Sequence, residues 1–433
     1  MKKIRLFSSI LFVSAALSLS ACALFNDDDI AIKNSYNPVA SEPEEDPDAL
    51  VVSDEIKGHR VDAVPNAYCF KNIGYANNGT ILNTYKNGGT NENGFNPNSG
   101  ADYTGDKTTN NYDLYVPDAT PRNAKHTVIL FVHGGAWVSG FKTDVNPYVH
   151  EFARRGYVTA TIKYTLLSRT MDNPSLSIFR NLDEIDACIA SIKEVLAKPG
   201  LDFDTTKTEL VIGGASSGSH LAMLYSYSRG QDAPIDIKFV VDAVGPVNIK
   251  PDCWKSFKDE ETGINAGLST SEIDPANLNP LSIAGEKDEE GNALYWDKYQ
   301  TMRIANGMCG LPNSKEAIEA CAIKDGEGHI IDADETKDAA KSMLLANGGE
   351  DQLSVTYWMD KGVNKYPLVA AYAGKDTIVG VNQYATLQQS LEDNSIDYKY
   401  TYFKNSGHTQ ISKEADETAY NEFVKNVDDR CKA

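Results

Sequence analysis

The chain has 433 residues, with 41 Lys+Arg against 61 Asp+Glu and a formal net charge of −20. So acidic a chain excludes a nucleic-acid partner and disfavours electrostatic attachment to anionic lipid. With 41% hydrophobic and 24% charged residues it has a soluble globular composition, long enough for one large domain with an insertion or for two domains.

The amino terminus predicts an export signal. Lys2, Lys3 and Arg5 precede an apolar run, Ile10 to Leu19, that is too short to span a bilayer. Small residues follow in Leu19-Ser20-Ala21-Cys22, and this tract resembles the lipobox of bacterial lipoproteins. The resemblance implies a signal peptide over 1–21, cleavage before Cys22, and acylation of Cys22 (palmitate among the acyl groups). It also implies a cell-envelope location, periplasmic or at the cell surface, with membrane attachment through that lipid only. Ala23 after the cysteine favours the outer membrane if the source is Gram-negative. Asp27-Asp28-Asp29 and the acid- and proline-rich stretch Ser41 to Asp48 predict that residues 22–65 are an extended, disordered tether.

Six cysteines remain: Cys69, Cys188, Cys253, Cys309, Cys321 and Cys431. An oxidising compartment permits disulfides among them, and their pairing is open. Cys309 and Cys321 are near enough in sequence to close a small loop. No C-x-x-C or H-E-x-x-H occurs, so neither a zinc site nor a redox motif is expected.

Residues 66–250 read as the first part of a core. The Gly/Asn/Thr-rich stretch 87–111 predicts a long loop or a loose hairpin. Asn111 to Val116 alternates like an edge strand, and Thr127 to Val132 is a continuous apolar run expected of a strand buried on both faces. Pro147 to Arg155 fits a helix closed by Gly156, and Tyr157 to Tyr164 a strand. Asn181 to Lys198 carries apolar residues at helical spacing and stops at Pro199-Gly200. Then follow a strand at Glu209 to Gly213, a helix at Ser217 to Arg229 and a strand at Phe239 to Val244. Residues 251–365 break this rhythm and read as an inserted lid or cap, with helical pieces near 314–322 and 336–346. A strand at Leu368 to Ala373 opens the second part of the core, 366–433. The alternation predicts an α/β fold, a mostly parallel sheet with helices on both faces.

Three motifs carry chemistry. Gly214-Ala215-Ser216-Ser217-Gly218 lies between a buried strand and a helix, the setting that G-x-S-x-G requires to hold up a nucleophilic serine. Ser217 and Ser219 lack glycine at both −2 and +2. His133-Gly134-Gly135-Ala136-Trp137 follows a buried strand. Its backbone N–H groups at Gly134 and Gly135, with that of Ser217, are candidates for an oxyanion hole. His133 reads as a loop-holding residue and Trp137 as wall or core. Gly374-Lys375-Asp376 follows the strand at 368–373, and Gly407-His408 comes later. Asp376 orienting His408, and His408 serving Ser216 as base and then acid, complete a triad. His59, His126, His133 and His150 precede the elbow. His220 reads as buried structure, and His329 is the rival to His408. Asp351 and Asp360 are rivals to Asp376.

HGGAW, GGASSGSHLA, GKDTIV and SGH, with YDLYVP ahead of the sheet, together resemble the α/β-hydrolase serine esterases. The nearest likeness is to hormone-sensitive-lipase-like carboxylesterases and feruloyl or acetyl esterases, over residues 110–250 and 366–430. The resemblance implies an eight-stranded, mostly parallel sheet, Ser216, Asp376 and His408 as the triad, and no cofactor. Ala136 stands where many members have a third glycine, and Ser217 and Ser219 where Ala and Gly are common. The expected activity is a serine carboxylesterase acting on small acyl or aryl esters. The alternatives are an amide hydrolase of arylformamidase or peptidase type, or a surface binding protein on a retired hydrolase fold.

Overall fold

The computed structural model describes residues 48–75, 110–137, 140–167, 178–249, 308, 350–376 and 378–433. Ten strands among them form one sheet: β1 (Leu50–Ser53), β2 (Ile56–Val61), β3 (Val64–Gly74), β4 (Asn111–Pro117), β5 (His126–Val132), β6 (Val158–Lys163), β7 (Thr208–Ala215), β8 (Ile237–Ala243), β9 (Leu368–Ala373) and β10 (Tyr398–Phe403). Their order is β1-β2-β3-β4-β6-β5-β7-β8-β9-β10. β6, β5, β7, β8, β9 and β10 run parallel, and β4 joins them antiparallel through β6. From β3 onward the exchange of β5 and β6, with β4 reversed, is the α/β-hydrolase arrangement. The fold is an α/β-hydrolase.

Two helices, α1 (Asn146–Arg154) and α6 (Glu417–Lys432), cover one face of the sheet. Four cover the other: α2 (Ile178–Leu196), α3 (Ser217–Arg229), α4 (Val355–Lys361) and α5 (Val381–Asp393). Val128, Leu130 and Val132 of β5 point into the α2/α3 layer, while Ile129 and Phe131 point into the α1/α6 layer. Alternate side chains thus feed two apolar layers, which is why this strand reads as an unbroken apolar run.

Several expectations are corrected. The sheet has ten strands among the described residues, not eight. The tether does not extend to 65, because Leu50–Ser53 and Ile56–Val61 form a hairpin on the β3 edge. Arg60 fixes that hairpin, lying 3.8 Å over the Tyr68 ring and donating to both Asp118 carboxylate oxygens at 2.8 and 2.9 Å. The alternation in Asn111–Val116 predicts an edge strand, yet β4 is internal and all seven residues are buried. Its polar side is covered by Lys142, whose Nζ donates to Asn111 Oδ1 at 2.5 Å, Asp113 Oδ1 at 2.6 Å and Asn72 Oδ1 at 2.7 Å. The segment 350–361 falls in the range read as lid, but Leu353, Val355 and Met359 are fully buried in the α3 layer.

Residues 1–47, the 87–109 part of the long loop, the helical pieces near 314–322 and 336–346, His329, and Cys22, Cys253, Cys309 and Cys321 lie outside the described residues. Cys69, Cys188 and Cys431 are buried free thiols. Burial pushes the Cys69 thiol up to about 11 and that of Cys431 to about 12.

Candidate active site

β7 ends at Ala215 and α3 begins at Ser217, so Ser216 makes the whole turn between them. It does so at φ 54°, ψ −125°, a left-handed backbone that a side chain rarely adopts. Its N–H donates to Ala243 O at 2.8 Å, and its carbonyl accepts the His220 N–H at 3.1 Å. Gly214 makes the turn sterically possible: a Cβ there would lie 2.4 Å from the Gly218 carbonyl carbon and 2.6 Å from Ser219 N.

The rival serines have other positions. Ser219 is fully buried. Its hydroxyl donates to Gly214 O at 2.6 Å and accepts the Ala243 N–H at 2.9 Å, tying α3 to the ends of β7 and β8. Ser217 is 1% exposed, and its N–H, in the first turn of α3, has no intrahelical acceptor.

Asp376 follows β9 and is 4% exposed. Its Oδ1 accepts the N–H groups of Ile378 at 2.8 Å and Val379 at 2.9 Å, which aims Oδ2 across the sheet end. There His408 Nδ1 meets Oδ2 at 2.7 Å, and His408 Nε2 meets Ser216 Oγ at 2.8 Å. Three side chains from three loops stand in one hydrogen-bonded line. The carboxylate accepts a hydrogen bond from Nδ1–H, which leaves Nε2 free to accept from the serine hydroxyl.

The loop after β5 lies against this turn. A Cβ on Gly134 would stand 2.8 Å from Ala215 O and 3.1 Å from Ser216 Cβ. Gly135, Ala136 and Trp137 follow at φ 119°, 51° and 64°. Ala136 therefore occupies the left-handed position where glycine would rest without strain, at a cost of about 1–2 kcal/mol. Gly135 is itself partnered. His133 Nδ1 bonds Gly134 O at 2.8 Å, and its ring stacks on Tyr164 with centroids 4.4 Å apart. Burial pushes this imidazole down to about 4, against the opposing effect of the Gly134 carbonyl. A neutral, loop-holding role fits His133, as its sequence position predicts.

The other candidates lie elsewhere. His126 bonds Thr208 at the start of β7, and His150 bonds Tyr115 OH. His59 is on β2. Asp360 accepts from Ser390 and Asn394, and Asp351 sits in the turn before α4. Two buried groups lie beneath the turn: Asp242, which the sequence reading did not single out, and His220, read there as buried structure without a link to the glycine-rich loop. Asp242 on β8, beside Gly214, accepts the Gly245 N–H at 2.7 Å, and burial raises its carboxyl to about 7. His220 contacts the glycine-rich loop through Trp137; its place four residues after Ser216 was the available signal.

Residues 112–271 match the family model described as BD-FAE. That stretch is a little over a third of the chain; it contains the 133–137 loop and Ser216 and ends before Asp376 and His408. A probable isoprenylcysteine alpha-carbonyl methylesterase of Oryza sativa subsp. japonica is 30% identical over 118 residues, 27% of this chain and 25% of that protein. A non-reducing polyketide synthase of Stereocaulon alpinum is 26% identical over 147 residues, 32% of this chain and 5% of that protein. The chain thus spans a quarter or less of the length of these curated relatives. Among solved structures, a truncated carbohydrate esterase from gut microbiota is similar with a TM-score of 0.48 and 11% identity, over 87% of this chain and 100% of that one.

Proposed function

We propose that the protein is a serine carboxylesterase that hydrolyses short-chain acyl or aryl esters through an acyl-enzyme on Ser216. The observation that carries this reading is the line of hydrogen bonds from Asp376 Oδ2 through His408 to Ser216 Oγ. Ser216 Oγ attacks the ester carbonyl while its proton passes to His408 Nε2. The carbonyl oxygen becomes an oxyanion, received by the N–H groups of Gly134 and Ser217 with that of Gly135 beside them. One such donor lowers the barrier by about 3–4 kcal/mol. Collapse of the tetrahedral species breaks the C–O bond, and the departing alkoxide takes the proton from His408. Water then loses a proton to His408, attacks the acyl carbon, and releases the carboxylic acid as Ser216 regains its proton. Asp376 holds the imidazole in the competent tautomer and stabilises the imidazolium. The partial likeness to a methylesterase fits ester chemistry.

The test is hydrolysis of p-nitrophenyl esters of increasing acyl length by the protein and by Ser216→Ala. Activity on short chains that disappears in the variant supports the reading. Equal, negligible rates in both overturn it, and N-formyl aromatic amides and peptides become the next substrates.

We also infer that the protein is exported and anchored to the cell envelope by acylation of Cys22, with residues 1–21 removed. The Leu-Ser-Ala-Cys tract supports this reading. Labelled palmitate should enter the wild-type protein and not Cys22→Ala, and the variant should leave the membrane fraction.

A further inference from the structure

His220 lies one helical turn beyond Ser216, fully buried, and its ring joins two segments remote in sequence. Nδ1 accepts the Trp137 indole N–H at 3.2 Å, and Nε2 meets Leu353 O at 2.7 Å. An indole N–H can only donate and a carbonyl can only accept, so the proton sits on Nε2. Burial pushes this imidazole down to about 4, so at neutral pH the ring is uncharged and keeps that tautomer.

Both partners bear on the site. Trp137 closes the left-handed run Gly135–Trp137, a conformation that tends to relax unless its end is held. Its carbonyl accepts the Leu167 N–H at 2.8 Å, and its indole is edge-on to His220 at 5.3 Å. Leu353 belongs to the neck where the chain returns from the insertion. The two sides of that neck are bonded to each other: Ile249 N–H to Ser354 Oγ at 3.0 Å and Thr356 N–H to Val247 O at 3.3 Å. Gln383 of α5 holds the outgoing side, accepting the N–H groups of Val247 and Asn248 at 2.8 and 2.9 Å. The neck is therefore a fixed point, and His220 measures the position of Trp137 from it.

We propose that His220 is a positioning residue for the oxyanion hole, holding the Trp137 end of the 133–137 loop at a place set, through Leu353, by the neck of the insertion. This deepens the esterase reading and rests on it. Without the tie the Gly134 N–H moves relative to Ser216 Oγ. The loss falls on the tetrahedral state, where the donors bear full negative charge, and little on ester binding.

Two substitutions separate the two bonds. The amide oxygen of His220→Asn stands near Nδ1 and can still accept from Trp137. The amide nitrogen of His220→Gln stands near Nε2 and can still donate to Leu353 O, but leaves Trp137 without its acceptor. Trp137→Phe removes the donor and keeps a ring. We expect His220→Gln and Trp137→Phe each to lower kcat on a short p-nitrophenyl ester about 10- to 100-fold, with KM within about twofold. The double variant should be no worse than the poorer single, and His220→Asn should recover most of the kcat. Additive losses, or kcat and KM falling together in step with melting temperature, overturn the proposal.

A second readout needs no turnover. The chain has four tryptophans, and the Trp137 indole N–H resonance is assigned by its disappearance in Trp137→Phe. It should shift in His220→Gln and stay near its wild-type position in His220→Asn. An unshifted resonance in His220→Gln overturns the proposal. A wild-type protein inert towards all esters but showing the shift would instead fail the esterase reading alone.

Discussion

Gly218 and Val132 meet backbone to backbone: a Cβ on Gly218 would stand 2.1 Å from the Val132 carbonyl oxygen. The first turn of α3 therefore rests directly on the end of β5, which ties the elbow to the root of the glycine-rich loop. Gly218→Ala should push the two apart. Overpacking of this kind costs about 1–3 kcal/mol. We expect a lower melting temperature and a fall in kcat of at least about 100-fold, since both Ser216 and the proposed oxyanion donors shift. Thermal unfolding and steady-state kinetics on the same preparation check both.

Asp376→Asn should separate geometry from chemistry. An asparagine oxygen can keep the Ile378 and Val379 N–H bonds. Its amide nitrogen then faces His408 Nδ1, where two donors cannot meet, and the ring turns to the tautomer with hydrogen on Nε2. That tautomer cannot accept the serine proton. A loss of about 10,000-fold in kcat with nearly unchanged thermal stability is expected, measured beside Ser216→Ala as the floor.

Lys142 is 9% exposed and Asp113 4% exposed, and their ion pair spans 2.6 Å. Burial lowers the lysine's pKa, while Asp113 raises it by attraction. Lys142→Met leaves a buried carboxylate uncompensated, which costs about 3–5 kcal/mol. Lys142→Met with Asp113→Leu removes both charges and should recover much of that loss. Urea unfolding of the two variants reads the difference. Equal stabilities would mean that the carboxylate finds another partner.

The pH dependence of stability has two opposing parts. His133 and His220 are each held down to about 4, from an unfolded value of 6.5. The unfolded chain binds their protons first, so their contribution is present above about 6.5 and is lost as pH falls through about 4. Asp242 is raised from 3.8 to about 7. Its contribution is present below 3.8 and is lost as pH rises through about 7. Denaturation between pH 4 and 8 should show Asp242→Asn flattening the decline on the alkaline side and His133→Asn lessening the decline on the acid side. A slope unchanged by either substitution would mean that these groups titrate as they do in the unfolded chain.

The hydrogen-bonded line of Asp376, His408 and Ser216 was legible because local rules place its members. A serine flanked by glycines between a buried strand and a helix has one geometry, and an aspartate after a strand has few places to point. The sheet was legible only in part. Residues 50–61 alternate weakly and adjoin an acidic stretch, so nothing local predicts that Arg60 will find Asp118 and Tyr68. β4 was misplaced because its alternation implies one wet face. The lysine that covers that face comes from beyond the next strand, and such pairings are invisible to periodicity. Asp242 and His220 were missed as parts of the site for the same reason. Each matters through contacts between elements far apart in sequence.

The neck formed by Val247–Ile249 and Ser354–Thr356 has a consequence for how such proteins diverge. Because the outgoing and returning strands of chain are pinned side by side, the segment between them is a module that can be exchanged. Doubling the length of such a loop costs only about 0.6 kcal/mol of closure entropy, and none of that change needs to reach Ser216. Under the proposed esterase reading, shortening, lengthening or grafting this segment is thus a route to new ester selectivity with the Ser216 turn unchanged, provided that the junction preserves the Leu353 carbonyl.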